Sequence, residues 1–99
     1  MDLFEVVFSF SALHDLRALR KYEQQIVMDG IYSQLLNEPA RETSNRKRMR
    51  SNGVANWEMR VGRYRVFYEV EEQARIVTVL AVGFKIGNQL FVRGEKRKL

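Results

Sequence analysis

The sequence predicts an α+β fold: a helical hairpin packed on a twisted, mainly antiparallel sheet of four to five strands, in the order β-α-α-β-β-β-β. Three observations predict it. An alternating apolar stretch with Phe4, Val6, Phe8 and Phe10 opens the chain, and helical spacing fills residues 11–37. Short stretches rich in Val, Ile and aromatics, punctuated by Gly and Asn, occupy the remainder. Ninety-nine residues are enough for one core, so the reading is one domain over 1–99.

The first strand ends at Ser11, which is placed to cap a helix by accepting from a free amide of its first turn. Leu13, Leu16 and Leu19 share one face of that helix, and Met28, Ile31, Tyr32 and Leu35 repeat the pattern further on. The phase slips near Lys21 and Tyr22, which divides the segment into helices at 11–20 and 23–37. Pro39 ends the second helix by disfavouring helical geometry at Glu38. Gly30, inside that helix, costs about 1 kcal/mol against alanine and reads as a point of close packing on the sheet. Residues 40–55 form a basic loop with a short strand around Met49. Strands follow at about 56–61, 64–70, 75–83 and 89–93. The third of these is apolar on both faces, which makes it central and covered. The basic cluster from Arg93 to Leu99 reads as a frayed tail.

Composition removes several function classes. The chain is 45% hydrophobic, too apolar for a disordered segment. It has no cysteine, which excludes disulfides, thiolate catalysis and cysteine zinc sites. Its one histidine, His14, has no histidine partner for a metal and reads as a surface or boundary residue, so neither metal nor cofactor is expected. The opening stretch holds acids and no basic leader, and no apolar run nears the ~18 residues of a membrane span. A cytoplasmic, soluble protein is the expectation.

Charge is the most local feature. Residues 41–65 hold eight basic residues and two acids, Glu42 and Glu58, so that segment carries +6 in a chain whose net charge is +5. Such a patch fits a polyanion such as RNA, or a solvated charge run with no partner. Within it, Gly62-Arg63 fits a two-residue type II′ turn, which pairs Val61 with Tyr64, Arg60 with Arg65, Met59 with Val66 and Trp57 with Tyr68. Trp57, Met59, Val61, Tyr64, Val66 and Tyr68 then share the core face, and Glu58, Arg60, Arg65 and Phe67 the other. Two opposed arginines repel unless something neutralises them. Either Glu58 does so through a charged ladder, or the pair awaits a phosphate. The loop residues Arg46, Lys47, Arg48 and Arg50 add to the second case.

The motif Arg60-Val-Gly-Arg-Tyr-Arg-Val-Phe-Tyr68 resembles the RelE/ParE superfamily of type II toxin–antitoxin toxins. Val79-Leu-Ala-Val-Gly83, a final strand to Val92, the opening Phe4-Glu-Val-Val-Phe-Ser and Ala12-Leu-His-Asp-Leu-Arg-Ala-Leu extend the likeness over nearly the whole chain. The resemblance implies a RelE-like fold and a toxin neutralised by a cognate antitoxin with an acidic or partly disordered segment. RelE-like members cut mRNA on the ribosome without metal, by attack of a ribose 2′-OH on the adjacent phosphate. ParE-like members inhibit DNA gyrase instead. A third possibility is a catalytically weak homologue that acts mainly by binding its antitoxin.

By the same resemblance, Arg65 matches the arginine that contacts the scissile phosphate, and Lys85 matches the basic residue after the strand-ending glycine. Two expected lysines correspond to Asn56 and Glu58, and the tyrosine of the last strand to Phe91. Glu58 is then a candidate base, or the partner of Arg60. Arg46, Lys47, Arg48, Arg50, Arg60 and Arg63 are the expected RNA contacts, with Phe91 stacking on a base. Arg65 itself reads as an exposed strand residue of little weight in stability.

Overall fold

In the computed structural model, which describes residues 3–99, strand β1 (Glu5–Phe8) leads into helices α1 (Phe10–Arg17) and α2 (Lys21–Gln34). Strands β2 (Arg46–Arg48), β3 (Trp57–Val61), β4 (Tyr64–Glu71), β5 (Ile76–Ile86), β6 (Gln89–Val92) and β7 (Glu95–Arg97) follow. They form one sheet in the order β2-β3-β4-β5-β6-β7, antiparallel throughout, with β1 parallel to the first part of β5. The architecture is the expected one, with seven strands in place of four or five. The additions are the two basic stretches at the sheet's ends. The strand sought around Met49 is β2, and the supposed tail is β7.

Local chemistry explains where each element begins and ends. Ser9, and not Ser11, caps α1: its backbone is extended and its Oγ accepts from Ala12 N–H at 3.0 Å. Helix α2 starts at Lys21 because the Glu23 carboxylate reaches back to the Arg20 N–H at 3.0 Å. It stops at Gln34, three residues before the expected end. Arg46 Nη1 donates to Gln34 O at 2.8 Å and to Glu38 O at 3.1 Å, and so satisfies carbonyls left free at the helix C-terminus.

Both helices cover one face of the sheet. Leu16, Val27, Ile31 and Leu35 pack there against Trp57, Met59, Tyr64, Val66 and Tyr68. Gly30 meets β3 so closely that a Cβ would stand 2.7 Å from Val61 Cγ2, which confirms the close approach inferred for it. The opposite face holds a smaller cluster of Ala55, Phe67, Ala81, Leu90 and Val92. A bulge opposite Phe67–Tyr68 inserts Leu80 into β5, and Leu80 packs against this second cluster. Strand β5 is therefore covered on both sides, as its sequence suggests. Among the described residues, no helix is long and apolar enough to cross a membrane.

Candidate functional site

The face of the sheet turned away from the helices carries Lys47, Arg60, Arg65 and Lys85. Gly62 has a φ of +57° and Arg63 has no positive φ, as a II′ turn requires, and the β3–β4 register is the one the turn dictates. Arg60 and Arg65 stand directly opposite each other. Beside Arg65 across the sheet is Gly83, and Lys85 lies two residues further along β5 on the same face. The Lys85 N–H donates to Arg63 O at 2.8 Å, which holds that end of β5 against the hairpin. Strand β2 places Lys47 opposite Glu58, with Nζ 3.4 Å from Oε1. These five side chains line one small hollow of about 80 Å³.

Arg65 is not the exposed residue its strand position suggests. It is only 8% exposed, and its Nη1 donates to the carbonyls of Gly62 and Tyr64, both at 2.9 Å. Burial, and secondarily the Arg60 charge, lowers its pKa, while Glu58 opposes the shift. An arginine starts so high that it stays charged. The result is a fixed cation, with part of its fork committed to the backbone and the rest lining the hollow.

Glu58 pairs with Lys47, not with Arg60, and its side chain is 12% exposed. Asn56, the other position where the resemblance expects a lysine, is tied to Glu69 by its amide Nδ2 at 2.7 Å and its backbone N–H at 2.9 Å. It brings no charge to the hollow.

Arg46 also lines this hollow, but its Nη1 turns inward to the carbonyls at the end of α2 and holds them. The remaining expected RNA contacts lie elsewhere. Arg63 points to the helix side, 3.0 Å from Glu23 Oε2 and over the rings of Tyr64 and Phe84. The Tyr64 hydroxyl donates to the same carboxylate oxygen, and this bond is the main cause of the lowered Glu23 pKa. Phe91 pairs with Phe84 in register and stacks on it at 5.7 Å, on the opposite face from Arg65 and Lys85. It has no place in the hollow. Arg48 sits over the Trp57 ring, 5.9 Å from its centroid.

Two larger hollows adjoin the first through Lys47. One, of about 330 Å³, is lined by Lys85, Arg97 and Lys98 as well as Glu58. The other, of about 460 Å³, is lined by Arg48, Arg50 and Lys98. Asn52 shapes the loop beside them: its Oδ1 accepts from the Val54 and Ala55 N–H groups and its Nδ2 donates to Arg50 O and Ala55 O. Arg97 and Lys98 were missed by the sequence reading. The turn that brings them back is made by Arg93 and Gly94, which both take positive φ, 54° and 75°, and Gly94 is the residue of the pair whose type signals it. Arginine at the first position of such a turn is not its usual chemistry.

A family model described as ParE toxin of type II toxin–antitoxin system, parDE, matches residues 6–84. The chain belongs to the ParE toxin family. It is thus a type II toxin of the RelE/ParE superfamily. Among solved structures, the toxin–antitoxin complex RelBE2 of Mycobacterium tuberculosis matches with a TM-score of 0.74 and 26% identity, covering 86% of this chain and 94% of the other. The archaeal RelE–RelB complex of Pyrococcus horikoshii matches with a TM-score of 0.64 and 20% identity, over 80% of this chain and 91% of the other, and bears on the fold alone. No curated protein matches the sequence. The matched span of the ParE family model ends at Phe84, so Lys85, Arg97 and Lys98 lie beyond it.

Proposed function

We propose that this ParE-family toxin is an RNA-cutting enzyme, with Glu58, Arg65 and Lys85 as its catalytic residues. The observation that carries the reading is their presence around one hollow, together with Lys47 and Arg60. Cleavage by a 2′-OH needs a group to take its proton, a cation for the added charge on phosphorus, and a proton donor for the departing 5′-oxygen. Among the described residues Glu58 is the one carboxylate lining the hollow, and it takes the first role. Arg65, fixed by two backbone carbonyls, takes the second without reorganising. Lys85 or Lys47, each an ammonium, supplies the last proton. Arg60, Lys47, Arg97 and Lys98 bind the flanking phosphates. Ribosome-bound mRNA in the cytoplasm is the substrate this reading takes from the resemblance.

The partner in the resting state is an antitoxin. The Mycobacterium tuberculosis structure that this chain resembles is a toxin–antitoxin complex, and a segment with acidic residues would complement the same face.

Inhibition of DNA gyrase is the second reading. The family model's own description names the parDE system, and no phenol stands in the hollow where the last-strand tyrosine was expected. Inducing the protein while following mRNA integrity and plasmid supercoiling separates the two. Loss of mRNA with unchanged supercoiling supports cleavage, and the converse supports gyrase. If neither changes, the chain acts only by binding its antitoxin.

A further inference from the structure

Strand β5 has a gap on one flank. It pairs with β1 through Ile76–Val79 and with β6 only from Phe84 to Ile86. Between them, side chains replace the missing strand. Ser9 Oγ donates to Leu80 O at 3.2 Å, and the Val82 N–H donates to Asp15 Oδ2 at 3.0 Å. Arg93, in the β6–β7 turn, closes the seam: its Nη2 donates to Leu80 O at 3.3 Å and its Nε lies 3.1 Å from Asp15 Oδ1. The Asp15 side chain is 2% exposed and that of Arg93 36%.

A buried carboxylate is an expensive way to close a seam. Burial dominates the Asp15 environment and raises its pKa despite the Val82 N–H, Arg93 and His14. A pair of this kind does little for net stability, and fixing geometry is the use left to it. The geometry in question belongs to the β6–β7 hairpin. That hairpin meets β5 over three residue pairs, and its second strand carries Arg97 opposite Leu90, facing the basic hollows.

We infer that Asp15 and Arg93 are positioning residues for the C-terminal half of the basic groove: by pinning the β6–β7 turn to α1 they hold Arg97 and Lys98 beside Lys47 and Lys85, where these two engage successive phosphates of a single strand. The role rests on the nucleic-acid reading of the groove. Neither Asp15 nor Arg93 touches the nucleic acid, so both act through the hairpin.

The test uses the full chain and a labelled, uncleavable 2′-O-methyl RNA decamer, with affinity measured across a salt series. Arg93→Gln should weaken binding about tenfold at low salt, the size expected for two surface ion contacts. The slope of log affinity against log salt should fall by roughly 1.4, since each single-strand contact contributes about 0.7. The double variant Arg97→Ala/Lys98→Ala should show the same losses, and adding Arg93→Gln to it should cost nothing more. Asp15→Asn keeps an acceptor for the Val82 N–H and should behave like Arg93→Gln. In both single variants, amide exchange should accelerate in Glu95–Arg97 and not in β3 or β4, which separates release of the hairpin from unfolding. An unchanged slope in Arg93→Gln, with wild type binding normally, overturns the positioning role. So does a further loss when Arg93→Gln joins the double variant, because Arg93 would then contact the strand itself. A wild-type protein that does not bind the decamer overturns the nucleic-acid reading and this role with it.

Discussion

Lys47 and Glu58 face each other across the β2–β3 pair, Nζ to Oε1 at 3.4 Å, and this contact determines which cations of the hollow are left for a ligand. With Glu58 in contact with Lys47, Arg60 and Arg65 stand opposed without an ion pair of their own among the described residues, although the Glu58 charge still acts on Arg65. Two like charges in register are destabilising, and a bound anion would relieve that cost. The Lys47 side chain is 66% exposed, so its pair with Glu58 contributes under ~1 kcal/mol.

Lys47→Met should therefore leave thermal stability almost unchanged. Affinity for single-stranded RNA should fall modestly, and the salt slope should drop by roughly 0.7, the loss of one phosphate contact. A large fall in melting temperature would show instead that Lys47 is a structural residue.

Arg65 needs paired measurements. Its burial and two carbonyl acceptors mean that Arg65→Ala costs about 1–3 kcal/mol as well as any activity. Arg65→Lys keeps the charge and loses the fork that holds it. The expected outcome is a folded, destabilised protein with toxicity abolished in Arg65→Ala and not fully restored in Arg65→Lys. Toxicity and denaturant midpoint measured on the same preparations check it. Full toxicity in Arg65→Ala would remove this residue from the site.

Phe91→Tyr should change nothing in RNA cleavage. From the sequence, a phenol at this position would be expected to help, because it would enter the site. The register puts the new hydroxyl on the helix side, beside Phe84. Single-turnover cleavage by the two proteins should agree within a factor of two. A clear gain in rate would mean that β6 presents its other face to the substrate.

Glu23 sets the acid limit of stability. The Tyr64 hydroxyl, then the Arg20 N–H and Arg63, lower its folded pKa against the opposing effect of burial. A depressed carboxylate contributes stability that is complete above its unfolded value, 4.5, and is lost as pH falls through the folded one. Glu23→Gln should lower stability at neutral pH and flatten its decline below pH 4.5, as read from denaturant midpoints across pH. Asp15 works in the opposite sense, since burial raises its pKa and its ionisation costs stability as pH rises through the carboxylate range. Asp15→Asn should remove that cost.

The sheet and helices were legible because their periodicities are strong and the Gly62-Arg63 turn admits one register. From that register alone, the core face of Trp57, Met59 and Tyr64 and the Arg60/Arg65 opposition followed directly. The site was legible only in part. Arg46 and Arg63 are basic residues in a basic segment, and no local pattern says that one caps a helix and the other pairs with Glu23, 40 residues earlier. These are long-range contacts, visible only once α2 lies on the sheet. Phe91 was placed by resemblance, although Gly87-Asn88 is a second two-residue turn with positive φ at its glycine, and the register it sets pairs Phe91 with Phe84 on the helix side. The β7 strand was lost because three charged residues after Arg93-Gly94 look solvated when read singly.

The central claim is that the hollow holding Glu58, Arg65 and Lys85 cuts RNA, and primer extension on mRNA translated by purified ribosomes tests it most directly. Wild-type protein should produce discrete cuts in register with codons. Glu58→Gln should reduce them by at least about a hundredfold, the usual weight of a positioned base, while retaining its fold and its binding of the uncleavable decamer. Cleavage undiminished in Glu58→Gln would contradict the role given to that carboxylate. Absence of any cut by wild-type protein, in a preparation that blocks gyrase supercoiling, would contradict the enzyme and leave a gyrase inhibitor.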